Sequence, residues 1–250
     1  MASIAPNCLR ARGLTAVGGL LLTAMLPLLC GCGEFAAQGR NAEGVRLFQQ
    51  ARYQDAMREF QEASYDDPRD ADAYYNLAAT YHAIGRAERR KSDLDQAECY
   101  YNQCLDRNPN HTDCYRGLAV LLAEQGRRDD AFRLVEGWVQ RQPALADAKI
   151  ELARLNDEFG NRQAAQDQLQ EAIAWDPNNP RAWAALGKIR EDAGDKAQAL
   201  ANYRRSLLQD DRQPYVASRV SALQGGAVGA APPNVDQGTR MADRNSPPAR

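Results

Sequence analysis

The chain has 250 residues, with 31 Lys and Arg against 33 Asp and Glu, and that balance excludes a strongly basic nucleic-acid binder on bulk charge. Six Cys are too few for a disulfide-dense scaffold, and two His, His82 and His111, leave little for a zinc site or a His-based catalytic set. Aromatic residues make up only 7%, and Ala, Gln, Arg, Asp and Leu recur throughout, a mixture that favours helix over sheet.

At the N-terminus, Arg10 and Arg12 precede an apolar stretch, Leu14–Leu29, and no acidic residue appears before Glu34. The stretch has 16 residues and carries Gly18, Gly19 and Pro27. That is short of the roughly 20 residues of a membrane span and fits the apolar region of a secretory signal. It ends in Leu29-Cys30-Gly31-Cys32, which resembles a bacterial lipoprotein signal: a Leu three residues before the Cys, a small residue just before it, then the Cys to be lipidated. The resemblance implies a signal peptide over residues 1–31, lipid on Cys32 as the membrane attachment, and a short linker over 32–36. Cys30 departs from the pattern, since a small residue is more usual there. An uncleaved signal anchor is the competing reading, and under either one the body is exported and tethered. Gly33, rather than Asp, follows the Cys; by resemblance to enterobacterial lipoproteins this implies the outer membrane, with the body facing the periplasm. Several acyl chains would anchor the protein stably without a spanning helix.

The remainder repeats itself. An Ala stands twelve residues before a Pro at Ala56/Pro68, Ala97/Pro109, Ala131/Pro143 and Ala165/Pro177, and Ala199 continues the series with Asp211 in place of the fifth Pro. The Pro residues are 41, 34 and 34 residues apart. Ten residues after each Pro comes a small residue, Ala78, Ala119, Ala153 or Gly187, with Gly44 as the counterpart in the first unit. Gly85, Gly126, Gly160 and Gly194 mark the expected turns between helices. A 34-residue period with small residues at these places resembles the tetratricopeptide repeat, most clearly over residues 71–84, 146–177 and 180–199. The resemblance implies an all-α solenoid of five helix-turn-helix repeats, over about 37–70, 71–111, 112–145, 146–179 and 180–213.

Physical reasons support that pattern. Each unit is too small to bury its own apolar face and must stack on its neighbours. Small residues let two helices approach, and Phe60, Tyr101, Val135, Leu169 and Tyr203 fill the space around them. The Pro cannot continue the second helix and ends the unit. Asp195 followed by Gln198 reads as a capping box. The second unit is seven residues longer, through Arg86–Ser92, which is either an extension of its first helix or a lip beside it, with Asp93 and Gln96 capping the next helix. Its four basic residues make it a solvated extension or a contact for an acidic partner or anionic headgroups. Residues 214–224 read as a capping helix whose Val216, Val220 and Leu223 cover the last repeat. From 225 to 250 the sequence is rich in Gly, Pro and Ala and reads as a disordered tail.

Cys104 and Cys114 fall near each other across a unit boundary. They form either a disulfide, which export permits, or two small buried thiols. Cys99 lies on the helix of Cys104 but about 140° round it, which makes those two unsuited to pair.

No glycine-rich phosphate loop or nucleophile elbow is present, no cofactor or metal is expected, and the carboxylates Asp147, Glu151, Asp157, Glu158, Glu191 and Asp192 read as solvated. Nothing in the pattern suggests an enzyme. In tetratricopeptide repeats the first helices line the concave groove. The stripe at four, seven, eleven and fourteen residues past each Pro is one helical face. It supplies Asp72, Tyr75 and His82, then Arg116 and Val120, then Ile150 and Arg154, then Arg181 and Lys188, with Asn76 beside them. These are the expected contacts to a protein partner; no nucleic acid or small-molecule substrate is expected. The carboxylate clamp of chaperone-binding repeats is broken, because Asn41, Val45, Asp113 and Gly117 stand where its basic and Asn residues belong. The reading is a lipid-anchored, non-catalytic scaffold in the bacterial envelope. Its specific versions are a pilotin-like factor for an outer-membrane secretin or an adaptor for an envelope protease or peptidoglycan enzyme.

Overall fold

A computed structural model of the protein describes residues 30–225, with side chains from residue 34 onward. The expected signal segment through Leu29, the side chain of Cys32 and the expected tail from residue 226 lie outside the described residues. Among the described residues there are eleven helices and no strand. They are α1 (Cys30–Gln49), α2 (Tyr53–Asp66), α3 (Ala71–Glu88), α4 (Lys91–Arg107), α5 (Thr112–Glu124), α6 (Arg128–Arg141), α7 (Ala146–Glu158), α8 (Arg162–Trp175), α9 (Pro180–Asp192), α10 (Lys196–Gln209) and α11 (Pro214–Gly225). Ten of them follow one another as five helix pairs, and α11 stands last. The segment 32–36, expected as a linker, lies within α1. The described residues fall into two compact units, one through Cys114 and one from Tyr115 onward.

In the first unit, small residues bring paired helices together. A Cβ on Gly44 would press into the Phe60 ring, so α1 and α2 touch there only because Gly has no side chain. Phe60, Val45, Leu47, Met57, Leu77 and Ile84 form a buried cluster, with Phe48, Tyr53, Tyr81 and Tyr100 packed at its edge. Burying each large apolar side chain contributes about 1.5–3 kcal/mol. A polar chain runs beside this cluster: Asn76 Nδ2 donates to Asn41 Oδ1 at 2.9 Å, and Asn41 Nδ2 donates to Asp70 Oδ2 at 3.3 Å. Asp70 also caps α3 by accepting from the Asp72 backbone N–H.

The seven extra residues lengthen both helices of the second pair. α3 has 18 residues and α4 has 17, against 13 or 14 in the pairs that follow. The turn moves with them. Gly85 is inside α3, where a Cβ would stand 2.7 Å from Leu94 Cδ2, and the left-handed turn residue is Arg89, with φ 54°. Gly85 is therefore a close-approach glycine and not the expected turn glycine. Asp93 lies in the first turn of α4, whose N-cap is Arg90, so the expected Asp93 cap is not formed. Arg90 instead forms an ion pair with Asp93, Nε to Oδ2 at 2.8 Å.

In the second unit, Gly126, Gly160 and Gly194 take φ 73°, 80° and 84° at the turns, a region that Gly enters without a Cβ penalty. Ala146, Ile150, Ala153, Leu169, Leu186 and Ile189 belong to one buried cluster. Asp195 caps α10 by accepting from the Gln198 N–H at 3.1 Å, as its spacing to Gln198 implies. On α11, Val216 is buried with Ala199 and Tyr203, and Val220 and Leu223 pack at the edge of that cluster. Tyr203 donates to Glu191 Oε2 at 2.9 Å, and Arg219 of α11 closes on the same carboxylate.

A further series recurs six residues after each Pro. Tyr74 lies under the Arg107 guanidinium, 3.4 Å from its ring centroid, and the Tyr115 hydroxyl accepts from Arg141 Nη2 at 2.7 Å. Lys149 pairs with Glu171, and Trp183 lies under Arg205. Each contact ties the first helix of a pair to its second through an aromatic or charged side chain.

Candidate partner-binding face

The expected face divides by location. In the first unit, Tyr75, Asn76 and His82 are buried, at 1%, 0% and 3% exposure, and do not present a surface to a partner. The reason is internal aromatic packing. Tyr75 stacks on His111 with centroids 5.5 Å apart and tilts against Tyr101, while His82 meets Tyr101 edge-on with Nδ1 3.4 Å from its hydroxyl. Asn76 is held in the Asn41–Asp70 chain. Asp72 is partly exposed and faces His111 Nε2 at 2.9 Å.

In the second unit, Ile150 is buried in the core and Val120 is half-buried. The three arginines of the stripe converge on one buried carboxylate. Arg116 Nε donates to Glu151 Oε2 at 3.1 Å and its Nη2 to Oε1. Arg154 Nε donates to Oε2 at 3.2 Å, and Arg181 Nη2 donates to Oε1 at 2.6 Å. Glu151 itself is 1% exposed. Burial alone would raise its carboxyl, but Arg116, with Arg181 and Arg154, outweighs burial and holds it at about 2.

A shell of more exposed acids surrounds this centre. Arg181 Nη1 donates to Asp147 at 2.7 Å, Arg154 Nη1 donates to Glu158 at 2.9 Å, and Lys188 bridges Asp192 at 2.6 Å and Asp157 at 3.4 Å. Burial would lower the Lys188 amine, but the hydrogen bond to Asp192 and the charge of Asp157 raise it. The expectation that Glu151 is solvated is thus corrected. It stands next to Leu152 on the inward side of α7, and only its three arginines make that burial tolerable. The signal that would have found it is one Glu beside a stripe that carries Arg116, Arg154 and Arg181 in successive units.

This face can orient guanidinium groups for charge-assisted hydrogen bonds to an incoming chain. A carboxyl held at about 2 stays ionised throughout the neutral range and cannot donate a proton as a general acid there. Cys104 and Cys114 are joined by a disulfide, with Cα atoms 6.6 Å apart.

Helix pairs of this length, turned on left-handed residues and ended by Pro, define a helical-repeat scaffold. Tetratricopeptide-repeat profiles match residues 44–85, 82–146, 122–189 and 180–211, in unbroken succession. The chain belongs to the tetratricopeptide-repeat family. It is 27% identical over 151 residues to cellulose synthase operon protein C of Pseudomonas fluorescens, a match covering 56% of this chain and 12% of that one. It is 28% identical over 119 residues to mouse protein O-mannosyl-transferase TMTC1, covering 45% of this chain and 12% of the relative. The chain thus spans about an eighth of the length of these relatives. A thermophilic TPR protein of Thermus thermophilus superposes with a TM-score of 0.57 at 24% identity, covering 76% of this chain and 99% of the other, and shares the fold. Proteins built from such repeats typically bind protein partners.

Proposed function

We propose that the protein is a non-catalytic scaffold that binds a protein partner on the first-helix face of its second unit and is held at a bacterial membrane by lipid on Cys32. The observation that carries the binding role is the set of three arginines fixed by buried Glu151 on that face. Their side chains are already positioned, so a partner's acidic or carbonyl groups meet donors that have lost part of their freedom in advance. Lys188, half-exposed at its outer edge, extends the face to solvent. The membrane attachment rests on the Leu29-Cys30-Gly31-Cys32 junction and the short apolar segment before it.

A photo-crosslinking amino acid at Lys188 in cells tests the binding role, with one at exposed Arg133 on α6 as the comparison. A dominant adduct at Lys188 is expected. A secretin as that adduct would specify a pilotin-like role, and an envelope protease or peptidoglycan enzyme would specify an adaptor. An adduct from Arg133 alone would overturn the choice of face. Incorporation of a palmitate analogue that is lost in Cys32→Ser would support the lipid attachment, and incorporation unchanged by that substitution would refute it.

A further inference from the structure

The first unit holds a second constellation, separate from the face above. Cys104 at the end of α4, His111 just before α5, and Cys114 in its first turn place one ligand atom each within 4.8 Å of one another. All three are buried. We propose that, when the disulfide is reduced, Cys104, His111 and Cys114 form a zinc site, so that the same cluster closes this junction by a sulfur–sulfur bond when oxidised and by a metal when reduced.

The His111 environment carries the argument. Its Nε2 is 2.9 Å from Asp72 Oδ1, and its Nδ1 faces the Cys114 backbone N–H at 3.3 Å. A backbone N–H can only donate, so Nδ1 is the unprotonated, accepting nitrogen and Nε2 carries the proton toward Asp72. A metal-binding imidazole likewise has one nitrogen held by a carboxylate; here the Nδ1 lone pair exchanges its 3.3 Å bond from the Cys114 N–H for the ion, and that N–H keeps its bond to the His111 carbonyl at 3.1 Å. Stacking on Tyr75 fixes the ring plane, with centroids 5.5 Å apart. Two thiolates and an imidazole suit zinc, whose ligand atoms stand about 2.0–2.3 Å from the ion in a tetrahedron. The sulfurs must separate from bonding distance, and the 6.6 Å between the Cys Cα atoms leaves room for this by side-chain rotation. Water takes the fourth position. His111 is 9% exposed and both Cys are 0% exposed, so the ion enters past the imidazole.

The chemistry balances in two steps. A dithiol reductant transfers two electrons and two protons to the disulfide, giving two Cys thiols and its own disulfide. Zinc then replaces the two thiol protons, which are released to solvent.

The test uses Co2+ as the probe on the full chain in detergent, reduced with dithiothreitol and then freed of excess reductant without air. The expected result is thiolate-to-cobalt charge-transfer bands with the visible bands of a tetrahedral site, saturating at one ion per chain and displaced by Zn2+. The oxidised chain should show none. Asp72→Asn should weaken binding by about 10–100-fold, and His111→Ala should abolish the tetrahedral bands. Both variants keep the disulfide, so their folding is checked by circular dichroism before reduction. The same titration on a chain carrying Ser at positions 8, 30, 32 and 99 separates the remaining thiols. Absence of the bands in the reduced wild type would overturn the proposal. So would bands that survive His111→Ala, or that vanish when only those other four thiols are removed.

Discussion

Arg181 Nη2 donates to Glu151 Oε1 at 2.6 Å, joining α9 to α7, while Arg116 of α5 reaches the same carboxylate from 35 residues upstream. One anion thus holds three first helices. Its removal leaves three guanidinium groups partly withdrawn from water without their shared partner. Glu151→Ala should therefore destabilise the protein by about 3–5 kcal/mol, read by urea unfolding. Glu158→Gln, at an exposed ion pair, should stay within about 0.5 kcal/mol of wild type. Equal effects of the two would mean that the buried position of Glu151 does not matter.

The same carboxylate sets an acid limit. Its native value near 2 lies below the ordinary carboxylate value of 4.5, because the arginines outweigh burial. A depressed value adds stability that is complete above the ordinary value and is lost as pH falls toward the native one. The shift corresponds to an order of about 3 kcal/mol. Unfolding free energies of wild type and Glu151→Gln, measured from neutral pH downward, should converge between about pH 5 and pH 2. A gap that persists unchanged at the acid end would assign the difference to packing and not to ionisation.

Much of the fold was legible because backbone constraints leave periodic marks. Ala56, Ala97, Ala131, Ala165 and Ala199 are all fully buried, as a residue that must let two helices touch has to be. Gly126, Gly160 and Gly194 were readable as turns for a comparable reason. Gly85 was not, because the inserted residues moved the turn to Arg89 while the glycine kept its other task against Leu94. The partner face was less legible. Helical spacing tells which residues share a face but not what the adjacent helix places over them, and Tyr101 and His111 cover Tyr75 and His82. Nor does a count of His reveal that His111 stands between Asp72 and two Cys.

The contact between Gly44 and Phe60 predicts a paired effect. In the second unit Ala119/Val135 and Ala153/Leu169 occupy equivalent positions, all buried, so a methyl group is accommodated there beside a smaller partner, while Gly187 again meets a ring, that of Tyr203. Gly44→Ala alone should cost about 1–3 kcal/mol through overpacking. Phe60→Leu alone should also destabilise, by leaving space. The double variant should be more stable than the sum of the two singles by about 1 kcal/mol or more, measured as a double-mutant cycle. Simple additivity would show that the two sites do not compete for the same volume.

Two turn residues hold left-handed backbone without being Gly: Ala51 at φ 58° and Arg89 at φ 54°. An L-residue with a Cβ pays about 1–2 kcal/mol in that region. Ala51→Gly should therefore raise the unfolding midpoint, with a net gain of about 0.5–1 kcal/mol after the extra freedom of Gly in the unfolded chain. Gly160→Ala, at φ 80°, should lower it by a similar amount. Scanning calorimetry on both variants checks the opposite signs, and a shift in the same direction for both would be incompatible with a conformational cause.

The last helix covers an apolar surface that no further repeat follows among the described residues. Val216 is 3% exposed against Ala199 and Tyr203, and Arg219 holds Glu191 beside the Tyr203 hydroxyl. Burial and Glu191 both raise that hydroxyl, so it remains a donor to the carboxylate at neutral pH. Val216→Asp places a charge in the cluster and should detach α11. Repeat arrays are held mainly by nearest-neighbour contacts, so the effect should fade with distance along the chain. Hydrogen exchange should then quicken in α10 and α11 by about tenfold or more, while α1 to α4 keep their protection. Uniform acceleration in all helices would instead mean that the described residues unfold as one cooperative body, with α11 contributing to the stability of every pair.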